Sequence, residues 1–489
     1  MHAVASPTGT EGTLDPSTFT AQVRRILALD LALYLLSAAF ALVTAVTSTL
    51  APHRAWGAIA WYGYAAAGLA VLAQLALPRR LASVPARAVL TGSAWLATTI
   101  LPLLVQAAQR AAGRTDRAQE EVLVTELAGE RLLHTGTPYL GRDAIAALPA
   151  DERLLGYTPY QPGMALFGVP RALGGVAWWT DARVWFAVAT AAALAASALI
   201  LVRRPGSTAG SHDRGVKRSS GQQFRSPIME SSGHPGHPGH PGAALLRAAQ
   251  AATVLPICAL TLATGGDDLP VLGLCLLALA CVARADAARA VGARGEGGAR
   301  GGGGTDRRWL LAAGLAVGAA GALKLLAWPV ALVLLVTAAA RGGRRGALAF
   351  AVPAGGLPVL ALAPAFGVDA PAAVENVLRF PLGQGLVTSP AQSPLPGHLI
   401  ATGLPGGRVI ATVLLVLAGA AIGLWLLRRP PRDAASAAAV CAVGMVTATL
   451  LLPATRFGYL LYPVAYVCAV PVLRLVGSRG DAAGRTQVT

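Results

Sequence analysis

The chain has 489 residues, of which 54% are hydrophobic and only 13% are charged, and its mean hydropathy is +0.56. Soluble domains carry about a quarter charged residues, so this composition excludes a cytosolic enzyme and a secreted domain. The net charge of +17 does not indicate nucleic-acid binding. The arginines lie mainly in short loops between apolar runs, where they act as topology signals.

Apolar runs of nearly membrane-spanning length recur along the chain. They predict an all-α polytopic membrane protein with about twelve transmembrane helices. The predicted spans are 26–48, 56–77, 88–108, 184–202, 243–263, 269–283, 310–322, 326–340, 346–366, 409–427, 434–452 and 458–475.

The stretch 310–340 is open to two interpretations, one long helix or a hairpin of two short ones. A single helix would be about 46 Å long at ~1.5 Å per residue, well beyond the ~30 Å hydrocarbon core. Two spans also place most arginine-rich loops on one side of the membrane, as the positive-inside rule requires. The sequence therefore favours the hairpin, with Lys324 at the outer edge and both termini in the cytoplasm.

The segments between the spans predict the domain organisation. The first transmembrane block carries a long outer loop, and a linker rich in Ser, Gly and Pro separates it from the second block. Three His-Pro-Gly repeats in this linker lack the rigid geometry of a metal site. The predicted units are a cytoplasmic tail 1–25, a block 26–202 with outer loop 109–183, a disordered linker 203–242, a block 243–475 with a basic, disordered cytoplasmic loop 284–308 and outer loop 367–407, and a tail 476–489.

The outer loop 109–183 is rich in Glu, Tyr and Pro. A helix is predicted in its middle, starting near Glu120 and Glu121 and ended by Gly136 and Pro138. Composition alone allows a plain interpretation, in which the acids form a solvated face and the aromatic residues a membrane-interface belt.

Three patches of sequence carry a resemblance to a known family. They are Glu121 followed by Val124, Ala128, Leu132-Leu133, Gly136 and Pro138-Tyr139; then Thr264-Gly-Gly-Asp267-Asp268-Leu-Pro-Val; and Ala312 to Gly318 followed by Gly321-Ala-Leu-Lys324 and Trp328-Pro329. The first resembles the first outer loop of GT-C glycosyltransferases. Together they are similar to glycosyltransferase family 87, the polyprenol-phosphate-mannose-dependent α-mannosyltransferase-like membrane proteins of actinobacteria. The chain departs from that family in having Gly-Gly-Asp-Asp where Gly-Gln-x-Asn is common.

The resemblance implies an enzyme that moves a hexose, such as mannose, from a polyprenyl-phosphate donor to a lipid or glycan acceptor at the outer face of the cell membrane. A carboxylate must accept the proton of the acceptor hydroxyl. The candidates for this base are Glu121 and its neighbour Glu120. The implied contacts to the sugar or the acceptor come from four further residues. These are Asp267, Asp268, Tyr139 and Tyr160.

The leaving phosphate needs cations. Lys324 is one of only two lysines in the chain and lies at an apolar turn, which favours a role beyond that of a snorkelling interface residue. Arg456 and Arg379 are the other phosphate candidates. The plain alternative for Asp267 and Asp268 is that they cap the helix starting near Leu269.

No cofactor, metal site or nucleotide is predicted, and the need for a divalent ion stays open. A lipid-linked-sugar flippase or another polytopic transporter is the alternative function. The sequence argues against it, because it shows no convincing internal repeat and no acidic network in mid-membrane.

Overall fold

The computed structural model describes residues 16–77, 82–203, 241–292 and 302–482. Within these ranges the chain is helical and contains no β-strand. The helices are α1 (Pro16–Thr47), α2 (Ala51–Ala76), α3 (Val84–Trp95), α4 (Leu101–Ala111), α5 (Glu120–Thr135), α6 (Arg142–Ala147), α7 (Arg153–Gly156), α8 (Val169–Gly174), α9 (Ala182–Val202), α10 (Pro241–Thr253), α11 (Pro256–Thr264), α12 (Asp268–Gly292), α13 (Gly302–Leu323), α14 (Ala327–Val374), α15 (Pro396–Gly403), α16 (Gly407–Arg428), α17 (Ala434–Leu451) and α18 (Leu461–Ala482).

The structure confirms the predicted fold class, an all-helical polytopic membrane protein. In the described part of the chain, nine helical stretches are long and apolar enough to cross a membrane. A tenth is added if α10 and α11, which are bent by 44° relative to each other, form one broken span. The predicted total of twelve is larger because it counts α13 and divides α14, and it stays a prediction.

Two helices occupy the stretch 310–340, where a single helix was the alternative. Helix α13 ends at Leu323 and α14 begins at Ala327. A further break follows at Gly343, whose φ of 56° and ψ of −153° are not helical. A Cβ at Gly314 would lie 2.3 Å from the carbonyl oxygen of Phe350, so the helical part of α14 beyond Gly343 packs directly on α13. The hairpin and the helix that follows it therefore form one closely packed unit.

Several loops are shorter than the sequence predicted. In the expected basic loop 284–308, α12 continues through Gly292 and α13 begins at Gly302, which corrects the prediction of a disordered segment for those residues. The alanine-rich end of α12 favours helix, and Arg289 Nε donates to Asp306 Oδ2 at 3.0 Å, which joins α12 to α13.

Helix also extends into other predicted tails and loops. It covers 16–25 of the N-terminal tail, 367–374 (with a break at Asp369) and Pro396–Gly403 of the second outer loop, and 476–482 of the C-terminal tail. Most of the linker 203–242, including its His-Pro-Gly repeats, lies outside the described residues.

Large apolar side chains cover much of the lateral surface of the bundle. Val46, Leu72, Leu360 and Leu427 are all exposed. A water-soluble protein would not expose so many such side chains in long helices, whereas lipid accepts them without cost. The polar residues that matter for function lie instead where several helices end.

The predicted helix in the outer loop is present as α5. It ends where Gly136 adopts a left-handed φ of 76°, and the N–H of Gly136 bonds to the carbonyl of Leu132 at 3.1 Å. A Cβ at Gly129 would lie only 2.3 Å from the carbonyl carbon of Gly168, so α5 touches the backbone at the start of α8. Close contact of two backbones requires glycine. It fixes α5 against the rest of the loop.

Candidate active site

The turn between α11 and α12 holds the start of α5 in place. The N–H of Gln119 donates to the carbonyl of Thr264 at 3.0 Å, and Thr264 Oγ1 donates to Gln119 Oε1 at 3.0 Å. In the same turn Gly266 has a φ of 88°, which permits the sharp reversal before Asp267. The first acids of α5 are thereby brought next to the acids of the Gly-Gly-Asp-Asp motif.

Lys324 lies between the two adjacent acids of that motif. Its Nζ donates to Asp268 Oδ1 at 2.7 Å and is 2.9 Å from Asp267 Oδ2. It also lies 5.1 Å from the ring centre of Tyr160, a cation–π distance. Tyr462 completes the cluster by donating its hydroxyl to Asp268 Oδ1 at 2.9 Å.

The two carboxylates of this cluster keep Lys324 in its ionised form, whereas the net pKa of Asp267 is raised. Burial alone would lower the pKa of Lys324, but the carboxylates of Asp267 and Asp268 outweigh it, and the net pKa is raised. Lys324 therefore stays a cation at physiological pH. Burial raises the pKa of Asp267, and Lys324 opposes this shift while the charge of Asp268 adds to it.

Glu121 forms a second ion pair, with Arg456. Glu121 lies in the first turn of α5, where the helix dipole favours a carboxylate. Arg456 lies in the turn between α17 and α18. Within the described part of the chain, Glu121 Oε2 is buried and has no hydrogen-bond donor. One oxygen of this carboxylate is thus paired and the other is unsatisfied.

These groups face one cavity of about 280 Å³. Its lining includes four acids and two cations, namely Glu120, Glu121, Asp267, Asp268, Lys324 and Arg456. Tyr160 lines it as well, and Tyr139 supports it from behind by donating its hydroxyl to the carbonyl of Tyr160 at 2.8 Å. Most of the site residues predicted from the sequence therefore line this one cavity, although they are spread over more than 330 positions of the chain.

Arg379, like Tyr139, is a predicted site residue that does not line this cavity. Its side chain is 54% exposed and lies 3.6 Å from Glu375, while the next residues, Phe380 and Pro381, do line the cavity. Phosphate binding by Arg379 stays a prediction without a contact to support it.

Other cavity residues were missed by the sequence reasoning. Tyr157 stacks on Phe380 with ring centres 4.2 Å apart, and Tyr459 lines the cavity beside Arg456. The loop around Ala391 also lines it, because its carbonyl accepts a bond from the N–H of Thr455 at 3.0 Å. The aromatic residues that follow Arg456 could have been identified from the sequence. No local sequence pattern, in contrast, predicts the contact between the loop around Ala391 and Thr455.

A buried ion network that the sequence analysis did not identify supports α5. Arg110 binds both carboxylate oxygens of Glu126, at 2.9 and 2.8 Å, and Asp181 Oδ2 at 2.6 Å. Arg183 donates to both oxygens of Asp181, at 2.9 and 2.8 Å. Burial alone would raise the pKa of Asp181, but Arg183 and Arg110 outweigh it and hold this pKa well below its usual range.

An apolar groove of about 380 Å³ lies close to the cavity. It is lined by Gly163, Leu166, Phe167, Val169, Pro170, Trp185 and Leu323. Leu323 directly precedes Lys324, and its carbonyl accepts a bond from the N–H of Gln161 at 3.1 Å. The groove and the charged cavity thus share a boundary.

The described residues include no group of three or more His, Cys, Asp or Glu side chains arranged to hold a metal ion. In the cavity, the ammonium group of Lys324 lies between the two adjacent carboxylates. The need for a divalent ion stays untested.

The bundle and its cavity define an integral membrane protein with a densely charged site where several helices end. The chain belongs to glycosyltransferase family 87, whose model matches residues 157–453, more than half of its length. This confirms the resemblance found in the sequence, which places the family among the GT-C enzymes. Tyr160, Asp267, Asp268 and Lys324 fall within the matched region, whereas Glu121 precedes it.

Two crystal structures of ArnT from Cupriavidus metallidurans are similar to this chain. The apo structure has 16% identity and a TM-score of 0.42, and the match covers 79% of this chain and 60% of ArnT. For ArnT bound to undecaprenyl phosphate the values are 17%, 0.42, 78% and 59%. The chain thus spans about three fifths of the length of ArnT. Comparison with curated proteins gives no match.

Proposed function

We propose that the protein is a membrane glycosyltransferase that moves a hexose, mannose in the first instance, from a polyprenyl phosphate to a lipid or glycan acceptor. The observation that carries this proposal is the convergence of Glu121, Lys324 and Arg456 on one cavity. Family membership supports the reaction class. ArnT was crystallised with undecaprenyl phosphate, a lipid of the same chemical class as the proposed carrier.

Glu121 is proposed as the base. In the transfer step the acceptor oxygen bonds to the anomeric carbon while the bond from that carbon to the phosphate oxygen breaks. The acceptor proton moves to Glu121, and the bonding electrons leave with the polyprenyl phosphate. Burial of Glu121 next to the cavity favours it over Glu120, whose side chain is exposed.

Lys324 and Arg456 are proposed to bind the phosphate. Cations placed where negative charge develops lower the barrier without reorganising during the reaction. Asp267 and Asp268 keep Lys324 charged, and with Tyr160 and Tyr139 they are proposed to shape the sugar or acceptor site. The apolar groove ending at Leu323 offers a path for the first isoprene units of the carrier.

The cavity is proposed to open on the outer face of the cell membrane, with both termini in the cytoplasm. Support comes from the arginine-rich helix ends. Arg289 and Arg341 lie near the ends of α12 and of the first part of α14 that are opposite the ends at the cavity. Arg428, at the end of α16, precedes α17, whose far end is followed by the cavity residue Leu452. Basic residues favour the cytoplasmic side.

The test is transfer of labelled mannose from polyprenyl phosphate mannose by the purified protein in lipid nanodiscs. We expect Glu121→Gln to abolish transfer and Glu120→Gln to reduce it far less. Glu130→Gln, on the exposed side of α5, is the matched control. Equal activity of all three variants would refute the assignment of the base. Donor translocation in vesicles without any transfer would favour the transporter instead.

A further inference from the structure

Both cations of the cavity are already engaged by carboxylates. Lys324 lies between Asp267 and Asp268, and Arg456 is paired with Glu121. With four acids and two cations, the lining has an excess of negative charge. An anionic ligand therefore gains a cation there only by taking it from a carboxylate.

The two ion pairs differ in how readily they can be exchanged. The Lys324 side chain is 9% exposed and has two carboxylate partners. The Arg456 side chain is 29% exposed, and Glu121 is the one carboxylate it pairs with among the described residues. The Arg456 guanidinium is thus the more accessible of the two cations and has one carboxylate to leave, whereas taking Lys324 from its two carboxylates would break a buried cluster, which is costly. Arg456 is therefore the cation that an incoming phosphate can recruit.

The two carboxylate oxygens of Glu121 lie in different environments. A neighbouring cation makes any carboxylate a weaker proton acceptor. Here one oxygen is held by Arg456, while the other is buried without a donor. Removal of Arg456 would leave a buried carboxylate with little to stabilise its charge, which is the state in which it takes up a proton most readily.

We propose that the donor phosphate exchanges with Glu121 for Arg456, so that donor binding itself releases the catalytic base. This inference rests on the proposed function and deepens it. The guanidinium group turns from a carboxylate to the phosphate, and no covalent bond changes. Glu121 then accepts the acceptor proton only when a donor is present. Arg456 thus couples occupancy of the phosphate site to the readiness of the base.

The exchange makes a prediction that a simple binding role for Glu121 does not. If Glu121 competes with the phosphate for Arg456, removing its charge should tighten lipid binding while abolishing transfer. We expect Glu121→Gln to bind sugar-free polyprenyl phosphate about three- to tenfold more tightly than wild type, the scale of one charged hydrogen bond partly regained. The probe is labelled polyprenyl phosphate titrated into nanodisc-embedded full-length protein.

Four further variants isolate the cause. Arg456→Met should weaken binding, and Glu121→Gln in the Arg456→Met background should give no gain, because no competition remains. Glu130→Gln removes a negative charge from the same helix away from the cavity and should leave the affinity unchanged. Glu121→Ala repeats the test independently, and monodisperse gel filtration shows that each variant is folded.

The outcomes separate this inference from the proposed function. If polyprenyl phosphate binds and Glu121→Gln is no tighter than wild type, the exchange is refuted while the glycosyltransferase proposal stands. A gain that persists in the Arg456→Met background would also refute it, since that gain would reflect general charge repulsion. If wild type and all variants fail to bind polyprenyl phosphate, the proposed donor class itself is wrong.

Discussion

Lys324 Nζ lies 2.7 Å from Asp268 Oδ1 although 56 positions separate the two residues. The contact joins the turn before α14 to the start of α12, and Asp267 shares the same ammonium group at 2.9 Å. Two adjacent carboxylates in so small a volume need a cation between them. The lysine therefore has a structural task as well as the proposed catalytic one.

Lys324→Met should remove both the structural and the proposed catalytic function of Lys324. Losing one preorganised cation at a developing charge typically costs about 10²–10³ in turnover, and we expect a loss of that size in mannose transfer. Lys324→Arg should recover only part of it, because a planar guanidinium cannot replace a compact ammonium between the two acids. Turnover of nanodisc-embedded protein measures both variants. Wild-type turnover in Lys324→Met would exclude a role for this cation.

Thr264→Val should act on Glu121 from a distance. It removes the bond from Thr264 Oγ1 to Gln119 and so loosens the start of α5. A hydrogen bond is worth about 1 kcal/mol, so we expect kcat to fall about fivefold with little change in donor KM.

The matched control for this prediction is Thr261→Val. Thr261 Oγ1 bonds within its own helix, to the carbonyl of Ile257 at 2.6 Å. If Thr261→Val lowers kcat as much as Thr264→Val does, the effect belongs to the helix as a whole and not to the contact with α5.

Asp181→Asn should destabilise the fold without touching the cavity. Arg110 and Arg183 would lose their shared carboxylate, and breaking a buried pair costs about 3 kcal/mol. Thermal unfolding in detergent should show a clear drop in Tm, whereas Asp143→Asn in the exposed α6 should not.

The effect of Asp181 has a defined pH dependence. The pKa of Asp181 is lower in the folded protein than in the unfolded chain. Its contribution to the free energy of unfolding is therefore complete above the unfolded-state pKa of about 3.9, and it is lost as the pH falls through the folded-state pKa. The gap in Tm between wild type and Asp181→Asn should therefore stay constant from neutral pH to about pH 5. A gap that closes already between pH 7 and pH 6 would contradict this assignment.

Leu166→Asp tests the apolar groove. The Leu166 side chain is 62% exposed and lines the groove beside Leu323. Burying a leucine against an apolar ligand is worth about 1.5–3 kcal/mol, so we expect the KM for a long-chain donor to rise about tenfold or more. A donor with a methyl group in place of the isoprene chain should show no such rise. Equal effects on both donors would place the carrier chain elsewhere.

The membrane class and the approximate helix positions follow from the sequence alone. Transfer of an apolar run into lipid is a local property, so hydropathy locates α1, α2 and α9 without any knowledge of their neighbours. Local chemistry also locates the end of α5 at Gly136, where a left-handed residue is required. The motifs containing Glu121, Asp267 and Lys324 are equally legible, because charge is rare beside apolar helices.

Only the tertiary structure decides which of these charges become partners. The pairing of Glu121 with Arg456, the bond from Tyr462 to Asp268, and the buried network around Asp181 each join segments far apart in the chain. Such contacts depend on how helices pack. Packing is set by close approaches such as that of Gly129 to Gly168, which hydropathy does not encode. The same physics extends α12 and α13 into the predicted loop, where Arg289 meets Asp306.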